Sequence, residues 1–347
     1  MRRVVFAIPG DLATATGGYA YARRLIHEWA GLGLEIAHLP LPGGFPAPDA
    51  GEIATAVAAM NAGAAPEDLL LIDGLACGAL PESALAHLRA PFAALHHHPL
   101  CREAGLSPQQ AQRLFACERA ALARARAVIA TSGHSAGVLR RDFGVADENL
   151  TVAEPGTDPA PRATPAPGAP LLLAVGALTP RKGFDLLVEA LAGLRALDWR
   201  LEIVGSTQRD PATATALEAR IARHGLQGRI ALRGEIGAAD LAAAYAGSAL
   251  FVSAARYEGY GMALAEALAR GLPLVASRGG AAQDTIPDGA ALKVAPGHGA
   301  ALQRALGRAL TDSALRKRLA AASWEAGQRL PRWRDTAMTV AATLGRL

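Results

Sequence analysis

The chain has 347 residues, 51 % of them hydrophobic and 19 % charged, with a formal net charge of +4. This is a globular rather than a disordered composition, long enough for two cores of roughly 150 to 180 residues. The basic excess is scattered and aromatic residues make up only 5 %, without the basic–aromatic interleaving that holds single strands, so nucleic acid is excluded as a partner. Cys77, Cys101 and Cys117 lack C-x-x-C spacing and read as free thiols in a reducing compartment. The opening M-R-R-V-V-F-A-I-P-G-D breaks its apolar run at Pro9, which makes it a first strand rather than a signal peptide, and no uncharged run has the length of a membrane span. A cytoplasmic protein is expected. The weak basic excess and Arg23-Arg24 leave room for peripheral contact at the inner face of a membrane.

Val4 to Ile8 predict a β-branched strand. P-G-D-L-A-T-A-T-G-G follows, then a helix from about Tyr19 to Ala30 ended by Gly31 and Gly33, then a second strand in L-E-I-A-H-L. Such a strand–loop–helix–strand unit predicts a parallel, doubly wound sheet. Gly17 and Gly18 either set backbone donors against a diphosphate or form an ordinary flexible loop. The G-x-G-x-x-G fingerprint is absent, which argues against a dehydrogenase. Asp49 to Ala65 has helical spacing, a strand Leu69 to Ile72 ends at Asp73-Gly74, and the strand P-F-A-A-L runs into His96-His97-His98. Neighbouring residues on an extended segment point to opposite faces, and no H-E-x-x-H or Cys/His cluster adds ligands, so the histidines are not read as a metal site. A helix from Gln109 to Ala125, a strand A-V-I-A-T-S ending in Ser132 and a helix from His134 to Phe143 lead to N-L-T-V-A-E-P-G-T-D-P. Six prolines between Pro155 and Pro170 mark an interdomain linker.

The second half opens with a strand, Leu171 to Val175, then G-A-L-T-P-R-K-G and a helix from near Phe184. This is a near miss to a phosphate loop of the ATPase kind. Arg181 stands where a second glycine belongs and Gly183 where a hydroxyl would bind magnesium, so ATP hydrolysis is disfavoured. Arg181 and Lys182 instead offer two cations beside a helix N-terminus, suited to a diphosphate without metal; the alternative is a solvated basic turn. A strand from Leu201 to Gly205, a helix closing at Arg220 to His224 and a strand I-A-L-R-G-E-I ending in Glu235-Ile236 follow. A helix from Asp240 to Tyr245 then leads to F-V-S-A-A-R-Y-E-G-Y-G-M-A-L-A-E-A-L-A-R-G-L-P-L-V-A-S. There a strand ends at Ser253, a helix runs from Met262 to Arg270, and Gly259 and Gly261 let the intervening backbone approach a ligand closely. The free N–H groups opening that helix favour a phosphate. Glu258 precedes the opening and Glu266 lies about one turn inside it. One carboxylate could meet a group beyond the phosphates, the other hydroxyls on the nucleotide side. A solvated helix with a Glu at each end is the plain alternative.

The E-G-Y-G turn, the exit G-L-P-L-V-A-S and Gly279-Gly280 resemble the donor site of family 4 retaining glycosyltransferases. The R-K-G segment, the P-G-T-D at the end of the first half and the stretch S-W-E-A-G-Q-R-L-P-R-W-R-D-T-A-M resemble other parts of the same family, in the same order over nearly the whole chain. The resemblance implies an α/β protein of GT-B fold, two Rossmann-like domains facing each other across a cleft with a C-terminal helix crossing back. Residues 1–160 would bind the acceptor, 161–325 the nucleotide sugar, and 326–347 would form the returning helix. It implies retaining transfer of a hexose from a UDP-, GDP- or ADP-sugar to a hydroxyl of a glycan, lipid or small molecule, with no metal and no cofactor. Glu258 would hold donor-sugar hydroxyls, Arg181 and Lys182 would neutralise the leaving diphosphate, and His97 would orient sugar or acceptor, with His98 open as the neighbouring register. Gly17, Gly18, Gly176, Gly259, Tyr260, Gly261 and Met262 would contact the donor, Glu235 and Ile236 its base and Glu266 its ribose. Where the family commonly has a Glu after the Gly-Gly pair, this chain has Gln283, with Asp284 next. D-x-D is absent, which disfavours the metal-dependent alternative fold. A sugar-nucleotide epimerase, a phosphorylase carrying pyridoxal phosphate and a non-catalytic sugar-nucleotide-binding protein are the competing readings.

Overall fold

The computed structural model describes residues 3–34, 36–165 and 167–347. Met1, Arg2, the Glu35 of the second strand's expected opening and the Ala166 of the expected linker lie outside the described residues. The chain divides into two units, one of Met1–Gly156 with Pro331–Leu347, the other of Thr157–Leu330.

Among the described residues each unit holds one six-stranded sheet, parallel throughout. In the first unit β1 (Val4–Pro9), β2 (Ile36–Leu41), β3 (Leu69–Asp73), β4 (Phe92–His96), β5 (Val128–Ala130) and β6 (Leu150–Val152) lie in the order β2-β1-β3-β4-β5-β6. In the second, β7 (Leu171–Val175), β8 (Arg200–Val204), β9 (Ile230–Gly234), β10 (Leu250–Ser253), β11 (Leu274–Ser277) and β12 (Ala291–Val294) lie in the order β12-β11-β10-β7-β8-β9. The central strands read as unbroken apolar runs because helices cover both their faces, as Leu69, Leu70, Leu71 and Ile72 do here, all buried. Strand order reverses between β1 and β3 in one sheet and between β7 and β10 in the other. Open parallel sheets bind ligands beyond the carboxyl ends of their strands at such a reversal.

Several element ends differ from the sequence expectation, each for a local reason. The first helix is Gly17–Gly31, so Gly17 and Gly18 lie in its first turn and not in a flexible loop; extended Thr16 is its N-cap. β9 stops at Gly234, whose φ of +64° turns the chain and leaves Glu235 and Ile236 beyond the strand. β5 stops at Ala130, and Ser132 instead caps the next helix by accepting from the Ser135 amide. Ala163 N donates to Arg270 O and Thr164 N to Ala246 O, so the proline-rich segment is fastened along the second unit there.

The last stretch forms two helices separated by Pro331. The helix Ser313–Gly327 belongs to the second unit, where Ser323 Oγ donates to Leu272 O at 2.6 Å. The helix Trp333–Leu344 belongs to the first, and packs on Gly17–Gly31. Trp29 Nε1 donates to Ala337 O at 2.9 Å, Thr336 Oγ1 to Glu154 O at 2.7 Å, and Tyr21 meets Trp333 edge to face. Among the described residues no helix is long and apolar enough to cross a membrane.

Candidate functional site

β7 and β10 are neighbours, so the loops leaving their carboxyl ends meet. Pro180–Lys182 is a single 3-10 turn ended by Gly183 at φ +66°, where a Cβ would collide with the Ala254 carbonyl oxygen. Only glycine lets the basic turn lie on the backbone that follows β10. Arg256 fastens the same contact from the other side. Its amide donates to Arg181 O at 2.8 Å, and its guanidinium donates to Pro180 O and pairs bidentately with Asp185 at 2.7 and 3.1 Å. That pairing holds the Asp185 carboxyl below the usual range, against the opposing effect of its burial.

This packing brings three of the expected site residues together. Lys182 Nζ lies 2.7 Å from Glu258 Oε1, and Arg181 Nη1 lies 3.5 Å from Glu258 Oε2 while donating to Tyr257 O at 2.9 Å. The lysine stem crosses Gly176, where a Cβ would come within 2.8 Å of Lys182 Cε. Glu258 is only 7 % exposed, and its backbone is held on both sides. Its amide donates to Gly279 O at 3.1 Å and its carbonyl accepts from Ala281 N at 2.8 Å, a parallel bridge across Gly280. Gly280 sits at φ +65°, and a Cβ there would strike the Glu258 carbonyl. The Gly-Gly pair thus lets the loop after β11 brace the E-G-Y-G turn. Gly261, at φ +98°, is the N-cap of the helix Met262–Ala269, whose first turn carries no acidic side chain. Tyr260 is buried and its carbonyl accepts from Thr285 Oγ1 at 2.6 Å, while Gly259 and Met262 are half-buried. Two cations against one carboxylate, beside a helix N-terminus, leave an electropositive corner suited to an anion.

Glu266 has a different set of partners. Its carboxyl shares a hydrogen bond with the Tyr245 hydroxyl; burial raises its pKa, the tyrosine and the Arg270 charge oppose the rise, and the Asp158 charge adds to it. Tyr245 stacks on Phe251 with ring centroids 5.7 Å apart, and the Arg270 guanidinium lies 4.6 Å from the centre of the Tyr245 ring. Glu235 is exposed, and Ile236 packs against the buried cluster that contains Tyr245 and Leu264.

In the first unit, His97 follows β4 with its Nε2 3.3 Å from Asp73 Oδ2, while Asp73 Oδ1 accepts from the Leu75 amide at 2.9 Å. The ring stands edge-on to Tyr21, and a Cβ at Gly18 would lie 3.5 Å from it. Gly18, Tyr21, Asp73 and His97 therefore converge at the carboxyl ends of β1, β3 and β4. His98 turns to Glu103 at 2.9 Å, and His96 is buried against Glu118 at 3.2 Å. Each of the three histidines takes its own carboxylate. Among the described residues no group of three or more His, Cys, Asp or Glu is placed to hold a metal ion.

Asp73, Asp185 and Arg256 escape sequence reasoning as site residues. Asp73 shows itself only by its place at a strand end before a glycine. The Asp185–Arg256 pair spans 71 positions with no pattern between them.

The architecture is the GT-B fold. The chain superposes over 100 % of its length on 99 % of sucrose-phosphate synthase from Thermosynechococcus elongatus, with a TM-score of 0.86 at 24 % identity. It superposes over 100 % of both chains on Anabaena HepE, solved in complex with UDP and glucose, with a TM-score of 0.78 at 19 % identity. More particularly, residues 160–325 match the family described as Glycosyl transferases group 1. Among curated proteins, mannosylfructose-phosphate synthase of Agrobacterium fabrum is 32 % identical over 43 % of this chain and 37 % of its own length. A lipopolysaccharide core biosynthesis mannosyltransferase of Rhizobium leguminosarum is 32 % identical over 55 % of this chain and 56 % of its own length. The matched stretches thus span between about a third and somewhat over half of these relatives.

Proposed function

We propose that the protein is a retaining, metal-independent glycosyltransferase of family 4 that moves a hexose from a nucleoside-diphosphate sugar to an acceptor hydroxyl. The observation that carries this reading is the meeting of Arg181, Lys182 and Glu258 beside the opening of the helix Met262–Ala269, at the reversal between β7 and β10. The complex of HepE with UDP and glucose supports a nucleotide-sugar donor, and the names of the curated relatives support a hexosyl transfer.

In this mechanism Arg181, Lys182 and the helix N-terminus take up the negative charge that grows on the leaving diphosphate, preorganised donors that need not rearrange during reaction. Glu258 holds hydroxyls of the donor sugar. Glu266, held by the Tyr245 hydroxyl, holds the ribose, and Glu235-Ile236 offer backbone to the base. Gly176, Gly259, Tyr260, Gly261 and Met262 line the phosphate path. The bond from the anomeric carbon to the phosphate oxygen breaks and the acceptor oxygen bonds to that carbon on the same face. The acceptor proton passes to the leaving phosphate oxygen, so no protein base is required. His97, held by Asp73, orients the sugar or the acceptor.

Calorimetric titration of the protein in EDTA with UDP, GDP and ADP, then with the matching sugar nucleotides, tests the reading. Micromolar binding of one diphosphate is expected, followed by transfer to an alcohol acceptor with the anomeric configuration kept, as read by NMR of the product. Arg181→Ala should slow transfer about a hundredfold or more. Failure of every diphosphate to bind would overturn the proposal.

A further inference from the structure

Glu258 is paired with both cations that the proposed mechanism assigns to the diphosphate, at 2.7 Å from Lys182 and 3.5 Å from Arg181. We infer that Glu258 competes with the diphosphate for these cations and thereby makes the site select the intact nucleotide sugar over the bare nucleoside diphosphate. The inference rests on the donor-site reading above and adds a property to it.

The geometry leaves the carboxylate and the phosphates little means of avoiding each other. The Glu258 backbone is fixed by Gly279 O and Ala281 N, so its carboxylate moves only by turning its side chain. Lys182 is confined in turn, its stem laid across Gly176. The side chains of Arg181, Lys182 and Glu258 are 21 %, 16 % and 10 % exposed, so water screens the triad poorly. A diphosphate that takes the cations deprives a buried carboxylate of both counter-charges, which is costly unless new donors reach it. The hydroxyls of a hexose beyond the phosphates are such donors. A bare nucleoside diphosphate has none there. It also carries one further ionisation near neutrality on its terminal phosphate, and that charge faces Glu258 once the sugar is gone. After transfer the same competition drives the product out as Lys182 returns to the glutamate.

The test compares wild type, Glu258→Gln and Glu258→Asp by calorimetry, using whichever of UDP, GDP and ADP binds and its matching sugar nucleotide. The Gln variant keeps the size of the side chain but removes the charge, and the Asp variant withdraws the carboxylate by about one bond, ~1.5 Å. Glu258→Gln should bind the bare diphosphate about two- to fivefold tighter than wild type, the range that a partly screened ion pair is worth. Its preference for the sugar nucleotide over the diphosphate should shrink, and product inhibition should sharpen. Glu258→Asp should fall between the two, and it carries the comparison if the Gln variant does not fold. Bare-diphosphate affinity that stays at the wild-type level, or weakens, in the folded variants overturns this inference and leaves the donor site standing. Failure of wild type to bind any diphosphate overturns both.

Discussion

Glu258 and Glu266 stand eight positions apart and face different problems. Glu258 answers to fixed cations; Glu266 lies beside a tyrosine hydroxyl and near a second acid, Asp158. Replacing Glu266 by Ala should weaken donor binding by about 1 to 3 kcal/mol, the worth of hydrogen bonds from ribose to a carboxylate, read by calorimetry against wild type. Its raised pKa gives a second expectation. A carboxyl whose folded pKa lies above its unfolded one contributes stability that is complete below the unfolded value and is lost as pH rises through the folded one. Glu266→Gln should therefore gain stability relative to wild type as pH rises from about 4 toward neutrality, measured by thermal unfolding at each end. A stability difference that stays constant, or shifts in favour of wild type, as pH rises would show that Glu266 is not held in this environment. The two glutamates and the R-K-G turn were legible in the sequence because glycines punctuate them at fixed offsets. Asp73 and Arg256 were not, because a side chain that acts across strand ends leaves no period along the chain.

The elements of the corner around Arg181, Lys182 and Glu258 are joined through backbone at glycines. Gly183 admits the Ala254 carbonyl and Gly280 the Glu258 carbonyl, both at positive φ. Gly280→Ala should cost about 1 to 3 kcal/mol of stability, because it combines a left-handed backbone with a collision. Donor affinity should fall with it as the E-G-Y-G turn shifts. Gly18→Ala is the contrast, since the nearest atoms to its Cβ would be those of the His97 ring at an ordinary 3.5 Å. That variant should melt within about 0.5 kcal/mol of wild type; a loss as large as that of Gly280→Ala would contradict the packing described. Strand positions were readable from apolar runs. Ends that differed fell at Gly17, at Ser132 and at Gly234-Glu235, where the expected boundary depended on backbone angles and caps that composition does not encode. The Gly279-Gly280 brace was visible as a motif, but its purpose depended on β11 lying next to β10, which only the assembled sheet reveals.

At the scale of the whole molecule, the sequence carried the alternation of strand and helix but not the order of strands, because pairing between distant segments is set by the packing of complete layers. The expected return to the first unit at residue 326 falls inside the helix Ser313–Gly327, and the division lies at Pro331. The helix Trp333–Leu344 covers Trp29 and Tyr21, both fully buried. Ending the chain at Leu330 should uncover them and remove about 3 kcal/mol or more from the first unit, at about 1.5 to 3 kcal/mol for each large apolar side chain. Thermal unfolding followed by near-ultraviolet circular dichroism would read the loss, and an unchanged transition would mean that the helix is not part of that core. The return of Pro331–Leu347 to the first unit also fixes an order of events during synthesis. The first unit begins to leave the ribosome before the second, yet its closing helix emerges only after residue 330. The second unit can therefore complete its core while the first still waits, with Trp29 uncovered, for a segment made some three hundred residues later. A pause in translation just short of that segment would prolong the exposure of this apolar surface, a condition that favours aggregation.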